Sequence, residues 1–130
     1  MAATSSPLAT LAALDVLRAG GNAIDAAVTA SAVLCITEPH MTGIGGDCFA
    51  IIGRADGTII GLNGSGRAAL VADADWLASS GLTRIESGGP HCVTVPGAVD
   101  AWDTLLRDHG TIGLAEALAP AIALARRDCR

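Results

Sequence analysis

The chain has 130 residues, of which 51% are hydrophobic and 16% charged, with one phenylalanine, two tryptophans and no tyrosine. So much apolar material, without a glycine period, excludes a disordered or collagen-like chain. The length suits a single domain, residues 1–130, with no internal boundary. Its core must be built from alanine, valine, isoleucine and leucine, which bury little area per residue, so we expect marginal stability for the chain alone.

The charge pattern argues against nucleic acid as a partner. The formal net charge is −5 and the pI about 4.9. The basic residues are scattered arginines, clustered only at the end as Arg126, Arg127 and Arg130, whereas a phosphate-binding surface needs clustered cations. The longest uncharged apolar run near the start, Ala26 to Ile36, is too short to cross a bilayer. We therefore predict no membrane segment.

The opening residues, MAATSSPLAT, lack the basic region and the long apolar stretch of a secretion signal. We therefore expect the chain as it stands to be cytoplasmic, and periplasmic or secreted if a signal precedes it.

The cysteines are widely spaced and form no C-x-x-C pair, which favours buried apolar side chains over disulfides; they are Cys35, Cys48, Cys92 and Cys129. Together with His40 and His91 they show no zinc-ligand spacing. We predict no metal site and no cofactor.

Two helices are predicted at the start of the chain. Ser6 before Pro7 is typical of an N-cap followed by the first helical residue, and Gly20-Gly21 ends that helix. Asn22 is placed to cap a second helix, with Asp25 in its first turn. From Ala23 to Ile36 nearly every side chain is small or apolar, which predicts a helix buried on all sides.

A β-hairpin between two glycine-containing loops follows. Met41 to Gly46 forms the first loop, and the predicted strands are Cys48 to Ile52 and Thr58 to Leu62. Asp56-Gly57 between them is a hairpin turn signal. Asn63 to Gly66 forms the second loop.

The remaining elements are mostly helical. A short helix is predicted over Asp73 to Ser80, and a short strand over Cys92 to Val95. A helix begins after Pro96-Gly97 and ends at His109, with an apolar face made of Val99, Trp102, Leu105 and Leu106. The last helix, Leu114 to Arg127, contains Pro120, which should kink or restart it.

The two glycine loops are the candidate site, because they flank the hairpin and can lie together. The G-x-G-G of the first loop can present backbone N–H groups to an anion or oxyanion. Ser65 and Arg67, in and just after the second loop, can bind a substrate carboxylate, the arginine by a two-pronged hydrogen bond. Each feature also has a purely structural interpretation, a tight turn for the glycines and a solvated turn for Ser65 and Arg67. Residue spacing and side-chain chemistry alone favour the structural interpretation.

Several runs of residues occur in an order that resembles one protein family. The longest is Val16 to Ala27, which contains L-x-x-G-G-N-A-[VI]-D-A-A. Glu38-Pro39-His40, Thr42 to Gly46, Val95-Pro96-Gly97 and Leu118 to Arg126 follow with similar gaps. Over essentially its whole length, the chain resembles the N-terminal part of the large subunit of the γ-glutamyltranspeptidase family.

This resemblance implies an α+β fold, the αββα sandwich of the N-terminal nucleophile hydrolases, of which the chain supplies the first helices and a β-hairpin. Family members are precursors that cut themselves into a large and a small subunit. The new N-terminal threonine of the small subunit attacks a γ-glutamyl amide such as glutathione, and water or an amine resolves the acyl-enzyme. That threonine would lie beyond this chain, so no catalytic residue is assigned here, and the segment alone should be inactive.

The resemblance also bears on the second loop. In transpeptidases this loop is R-E-x-A-P, and its arginine binds the α-carboxylate of the γ-glutamyl group. Aligned on Ala68, Ser65 occupies the arginine position here, and Arg67 lies two residues further on. The first loop differs too: transpeptidases have Gly-Gly-Gly-Gly-Phe there, and this chain has Asp47 and Cys48 at the third and fourth positions. Both features resemble the branch of amidohydrolases and acylases, including oxamate amidohydrolase.

Three hypotheses follow. The first is that the chain is part of a γ-glutamyltransferase-like hydrolase or transferase, in which Ser65 and Arg67 form a wall of the acyl pocket. The second is an amidohydrolase acting on a small amide without the glutamyl head. The third is an inactive, truncated scaffold. For the first two, the expected partners are the remainder of the large subunit, the small subunit of the same precursor, and a small-molecule amide.

Overall fold

A computed structural model describes residues 1–128. The expectations for Cys129 and Arg130 lie outside the described residues. The elements, in chain order, are α1 (Pro7–Arg18), α2 (Ala23–Thr37), β1 (Cys48–Gly53), β2 (Ile59–Gly64), α3 (Ala74–Ser79), a single 3₁₀ turn (Pro90–Cys92), α4 (Ala98–His109) and α5 (Leu114–Asp128). This order confirms the predicted mixture of helices with one β-hairpin.

Helix α1 begins and ends where the sequence predicts, but not by side-chain capping. Pro7 is its first residue and Ser6 has the extended backbone of an N-cap, yet the Ser6 side chain makes no capping hydrogen bond. Instead the hydroxyl of Thr4 donates to the carbonyl oxygen of Ser6 at 2.7 Å. Beyond the helix, Gly20 has a φ of +99°, which a side chain would strain.

Helix α2 lies at the centre of the helical layer, packed against α1, α5 and α4. Asn22 caps it as predicted, because its Oδ1 accepts from the backbone N–H groups of Ile24 and Asp25 at 2.8 and 3.1 Å. The prediction that it is buried on all sides is wrong for one stripe. Ala23 and Ala27 are exposed, and they line an open groove together with the first four residues of the chain and with Ala13 and Leu17 of α1.

The core is built mainly from alanine and valine, as the composition predicts, together with one tryptophan and two leucines of α4. The buried core residues are Ala9, Ala13, Ala26, Val28, Ala30, Ala32, Val33, Trp102, Leu105, Leu106, Ala117 and Ala121. Among residues 1–128, no helix is both long enough and apolar enough to cross a membrane.

Strands β1 and β2 pair in antiparallel register from Cys48 opposite Gly64 to Gly53 opposite Ile59. The predicted turn is confirmed, with Gly57 at a φ of +85°. Strand β2 extends two residues beyond the predicted end, because its pairing with β1 continues to Gly64. Alternate side chains face α4, while the other face exposes three large apolar side chains, those of Phe49, Ile51 and Ile59.

The predicted strand from Cys92 to Val95 is wrong. Pro90 begins a 3₁₀ turn that includes Cys92, and an extended segment follows. This segment makes one strand-like hydrogen bond, from the N–H of Val95 to the carbonyl of Arg67 at 3.1 Å. A single bond does not form a ladder, and the proline that follows Val95 has no N–H to extend one.

Helices α4 and α5 correct two further expectations. Val99 is 39% exposed and lies at the edge of the buried stripe, which follows Ala98, Ala101, Trp102 and Leu105 instead. Helix α5 runs through Pro120 without restarting. Ala117 and Ala121, on either side of that proline, are both buried, so packing holds the two halves of the helix in place.

Candidate loop junction

Three loops that are distant in sequence meet at one end of the hairpin. The carbonyl of Gly46 accepts from the N–H groups of Gly97 and Ala98, at 3.1 and 3.0 Å, so the first glycine loop contacts the start of α4. The bond from Val95 to Arg67 brings the second loop to the same place. We call this region, residues 41–47, 63–67 and 94–98, the loop junction.

Asp47 joins the three parts of the loop junction through its side chain. Its Oδ1 accepts from the N–H of Gly66 at 3.0 Å and from the hydroxyl of Thr94 at 3.3 Å. The carboxylate therefore bonds both to the loop that follows β2 and to the segment that precedes α4. The sequence indicated only that an aspartate stands here in place of glycine, and nothing in the local pattern pointed to its partners.

Glycine is required in the junction at the contacts between backbones. A Cβ on Gly66 would overlap the carbonyl oxygen of Val95, and a Cβ on Gly97 would overlap that of Gly64. Gly43 and Gly45 in the first loop have open space instead. The N–H of Gly46 donates to the carbonyl of Gly43 at 3.1 Å, which closes part of this loop as a tight turn. The N–H of Gly46 therefore serves a tight turn, as the structural interpretation of the G-x-G-G pattern predicts.

The two predicted substrate-binding residues lie together in the junction. Ser65 and Arg67 are both exposed, while Gly66 between them is half-buried against Val95. The alternation of an extended backbone accounts for this arrangement. Within residues 1–128 Arg67 forms no ion pair. The backbone N–H of Ser65 donates to Oδ1 of Asn63 at 3.0 Å, which shapes the turn out of β2.

An open cleft of about 380 Å³ runs along the first loop, lined by residues 39–47 except 44 and including His40 and Asp47. It is mostly polar and lies beside the junction. Neither His40 nor His91 hydrogen-bonds to a serine, threonine or cysteine side chain within the described residues. The described residues therefore form a polar wall along this cleft, without a histidine-activated nucleophile.

A second polar centre, at the start of α2, contains the acid of the G-G-N-A-I-D run. The side chain of Asp25 is fully buried. Its oxygens accept from the hydroxyl of Thr111 at 2.6 Å, from the N–H groups of Thr111 and Asn22, both at 2.8 Å, and from the N–H of Ile112 at 3.3 Å. Burial raises the pKa of Asp25, but these hydrogen bonds together outweigh it and hold the pKa below its usual value.

Asp25 therefore has a structural role that sequence reasoning only partly identified. The predicted place in the first turn of α2 is confirmed, since the Asn22–Asp25 capping box is present. Its bonds to Thr111 and Ile112 also fasten the start of α2 to the turn between α4 and α5. Gly110 is required there, because a Cβ would lie 2.6 Å from the Asp25 carboxylate.

The three cysteines of the described residues do not form a site. Cys35, Cys48 and Cys92 are free thiols. The first two are half-buried, but Cys92 is exposed, so the expectation of burial is wrong there, because the 3₁₀ turn lies on the surface. Burial raises the pKa of the Cys48 thiol. Among residues 1–128, no three histidine, cysteine or acidic side chains are grouped closely enough to hold a metal ion.

Comparisons with known proteins agree with this architecture. The family model of γ-glutamyltranspeptidase matches residues 9–128. The glutathione hydrolase-like YwrD proenzyme of Bacillus subtilis is 40% identical over 115 residues, which are 88% of this chain and 22% of that protein. The oxamate amidohydrolase proenzyme of Klebsiella pneumoniae is 40% identical over 108 residues, 82% of this chain and 20% of that protein.

A solved structure has the same fold. The γ-glutamyltranspeptidase of Helicobacter pylori superposes with a TM-score of 0.85 at 35% identity, covering 96% of this chain and 37% of that one. The chain spans about a fifth of the length of the two curated relatives. Its helices and hairpin are thus part of the α+β fold of these N-terminal nucleophile hydrolases, and the chain belongs to the γ-glutamyltranspeptidase family.

Proposed function

We propose that this chain is the N-terminal part of the large subunit of a γ-glutamyltransferase-like enzyme, which cleaves γ-glutamyl amides such as glutathione through an acyl-enzyme. The observation that carries the proposal is the family match over residues 9–128 together with the loop junction, which presents Ser65 and Arg67 on one exposed wall. The whole chain, residues 1–130, would belong to one domain with the rest of the precursor.

In this proposal the chain binds and orients the substrate and does not perform the attack. The nucleophile is an N-terminal threonine in the small subunit, released when the precursor cuts itself. Ser65 and Arg67 form part of the acyl pocket, where Arg67 pairs with a substrate carboxylate and Ser65 donates a hydrogen bond. The partners are the remainder of the large subunit and the small subunit, and the isolated segment has no activity.

A second candidate is an amidohydrolase for a small amide without the glutamyl head. The observation that favours it is Ser65, which occupies the position of the carboxylate-binding arginine in transpeptidases and cannot make a two-pronged charged contact. The relative from Klebsiella pneumoniae, an oxamate amidohydrolase, is as similar to this chain as the glutathione hydrolase-like relative.

The first experiment is to purify the protein from its native source and to measure intact masses, with N-terminal sequencing of every co-purifying chain. We expect a partner chain that begins with threonine. A lone chain of 12.9 kDa without a longer precursor would contradict the proposal and would support an inactive scaffold.

Substrate preference separates the two enzymatic candidates. We expect Ser65→Arg to raise the ratio of kcat/KM for a γ-glutamyl anilide over oxamate by at least about ten-fold, because a buried charge-assisted pair is worth a few kcal/mol. Ser79→Arg, on the exposed face of α3, is the control and should leave the ratio unchanged. If the wild-type protein prefers oxamate, the amidohydrolase hypothesis is correct. An unchanged ratio in Ser65→Arg would show that Ser65 does not line the acyl pocket.

A further inference from the structure

Asp47 occupies the position from which one side chain can reach both neighbouring loops. It directly precedes β1, and the register that pairs Cys48 with Gly64 brings the end of β2 beside it. Its Oδ1 then accepts from the N–H of Gly66 and from the hydroxyl of Thr94. Within residues 1–128, no other side chain hydrogen-bonds to both of these segments.

The bond to Gly66 controls the loop residue that has the greatest backbone freedom. Gly66 lacks a Cβ, so its neighbours could turn about it if its N–H were released. Asp47 accepts from the N–H of Gly66. The N–H of Val95 donates to the carbonyl of the following residue, Arg67, at 3.1 Å. Together these bonds keep Gly66 turned inward. Ser65 and Arg67 then both point outward. Without Asp47, the bond from Val95 to Arg67 and the local bond from Ser65 to Asn63 remain, but neither holds the N–H of Gly66.

We propose that Asp47 is a positioning residue, which fastens the second loop so that Ser65 and Arg67 present one acyl-binding wall. The inference rests on the proposed function of those two residues. It goes beyond that function because it assigns the geometry of the wall, and hence acyl-donor affinity, to a carboxylate that touches no substrate itself.

The test compares three variants of the protein as its native source makes it. Asp47→Asn keeps an oxygen that can accept from Gly66, whereas Asp47→Ala removes it. Asp56→Ala is the matched control: Asp56 also accepts a backbone N–H, that of Thr58 at 2.9 Å, but at the opposite end of the same hairpin. For each we measure kcat and KM for the acyl donor, the Tm, and hydrogen exchange of the peptide that spans residues 63–67.

We expect Asp47→Ala to raise KM about ten-fold with kcat changed less than about two-fold, as loss of a hydrogen-bond acceptor that holds the loop predicts. We also expect exchange in 63–67 to become faster, and Asp47→Asn and Asp56→Ala to behave as the wild type. An unchanged KM in an active Asp47→Ala enzyme would overturn the inference and leave the proposed function standing. Equal losses in kcat and kcat/KM with a lower Tm would also overturn it, because they would show that Asp47 stabilises the fold in general and does not position the wall.

If the wild-type protein cleaves no amide, the proposed function fails separately, and the role of Asp47 in an acyl-binding wall fails with it. Exchange then still tests the fastening of the loop. Faster exchange in Asp47→Ala supports it, and unchanged exchange overturns it.

Discussion

Asp25 shows how a buried carboxylate can be stable without a cation. Within the described residues it has no arginine partner, yet three backbone N–H groups and the Thr111 hydroxyl donate to it. Hydrogen bonds to a charged group are individually strong, and together they hold its pKa below the usual value despite burial. The same acid closes the capping box of α2 and fixes the turn after α4, so one side chain stabilises two elements.

This arrangement predicts a pH dependence of stability. Because the pKa of Asp25 is lower in the folded than in the unfolded protein, its contribution is fully present above the unfolded pKa of about 3.9 and is lost as the pH falls through the folded pKa. We expect Asp25→Asn to lower the free energy of unfolding at pH 7 by about 1–3 kcal/mol, since an amide NH₂ would face N–H donors. The loss of stability below about pH 4 should also become shallower.

Denaturant unfolding of the native-source protein between pH 3 and pH 7 measures both effects. Asp15→Asn is the control, because Asp15 is exposed and pairs with Arg18 only at the surface. We expect that control to change the free energy of unfolding by less than about 0.5 kcal/mol. An Asp25→Asn variant with wild-type stability and an unchanged acid slope would contradict the role assigned to Asp25.

At the scale of elements, the two N-terminal helices begin in different ways although both carry a favourable N-cap residue. Asn22 bonds to the backbone of Ile24 and Asp25, and its Nδ2 donates to the carbonyl of His109 at 2.7 Å. The Ser6 side chain makes no capping bond, and the Thr4 hydroxyl instead donates to the Ser6 backbone carbonyl. The residue type alone predicts a cap in both cases, but only the Asn22 side chain forms one.

This difference predicts unequal effects of two matched substitutions. We expect Asn22→Ala to lower the free energy of unfolding by about 1–2 kcal/mol, the usual range for loss of a cap. Ser6→Ala should change it by less than about 0.5 kcal/mol. Thermal unfolding of the two variants beside the wild type measures the difference. Equal effects would mean that the Asn22 cap contributes no more than the N-cap position itself.

The hairpin shows what a single element leaves undecided. Its inner side chains, among them Ala50, Ile52 and Leu62, pack toward the helical core. Its outer face exposes Phe49, Ile51 and Ile59, which are 68%, 83% and 75% accessible. Apolar alternation on both faces is typical of a strand covered on both sides. The residues of this hairpin therefore specify more packing than the described residues provide.

At the scale of the whole molecule, this uncovered face predicts the behaviour of the 130-residue chain produced alone. We expect it to self-associate, because two strands with open edges and an apolar face bind readily to other copies. Replacing Phe49, Ile51 and Ile59 together by threonine should raise the monomer fraction in size-exclusion chromatography with light scattering. Leu70→Thr is the control, since Leu70 is fully exposed but lies in no strand. A monomeric wild-type chain would contradict the expectation.

The helices, the hairpin and the family are predictable from the amino-acid sequence. Local signals such as Pro7, the Asn22 cap, and the Asp56-Gly57 turn act over a few residues, so they can be identified without knowing the fold, and the helices and hairpin were predicted within about two residues. The expected strand at Cys92 to Val95 failed because strand formation depends on a partner ladder, which lies elsewhere in the chain.

The partners of the polar side chains became known from the three-dimensional structure. Asp47 and Gly66 are 19 positions apart, and Asp25 and Thr111 are 86 apart, so no local pattern relates them. The sequence identified Ser65 and Arg67 as candidates, but their shared exposed side depends on Gly66 packing against Val95. Hydrogen bonds of this kind form only when the backbone closes long loops, and that closure is a property of the packed core as a whole.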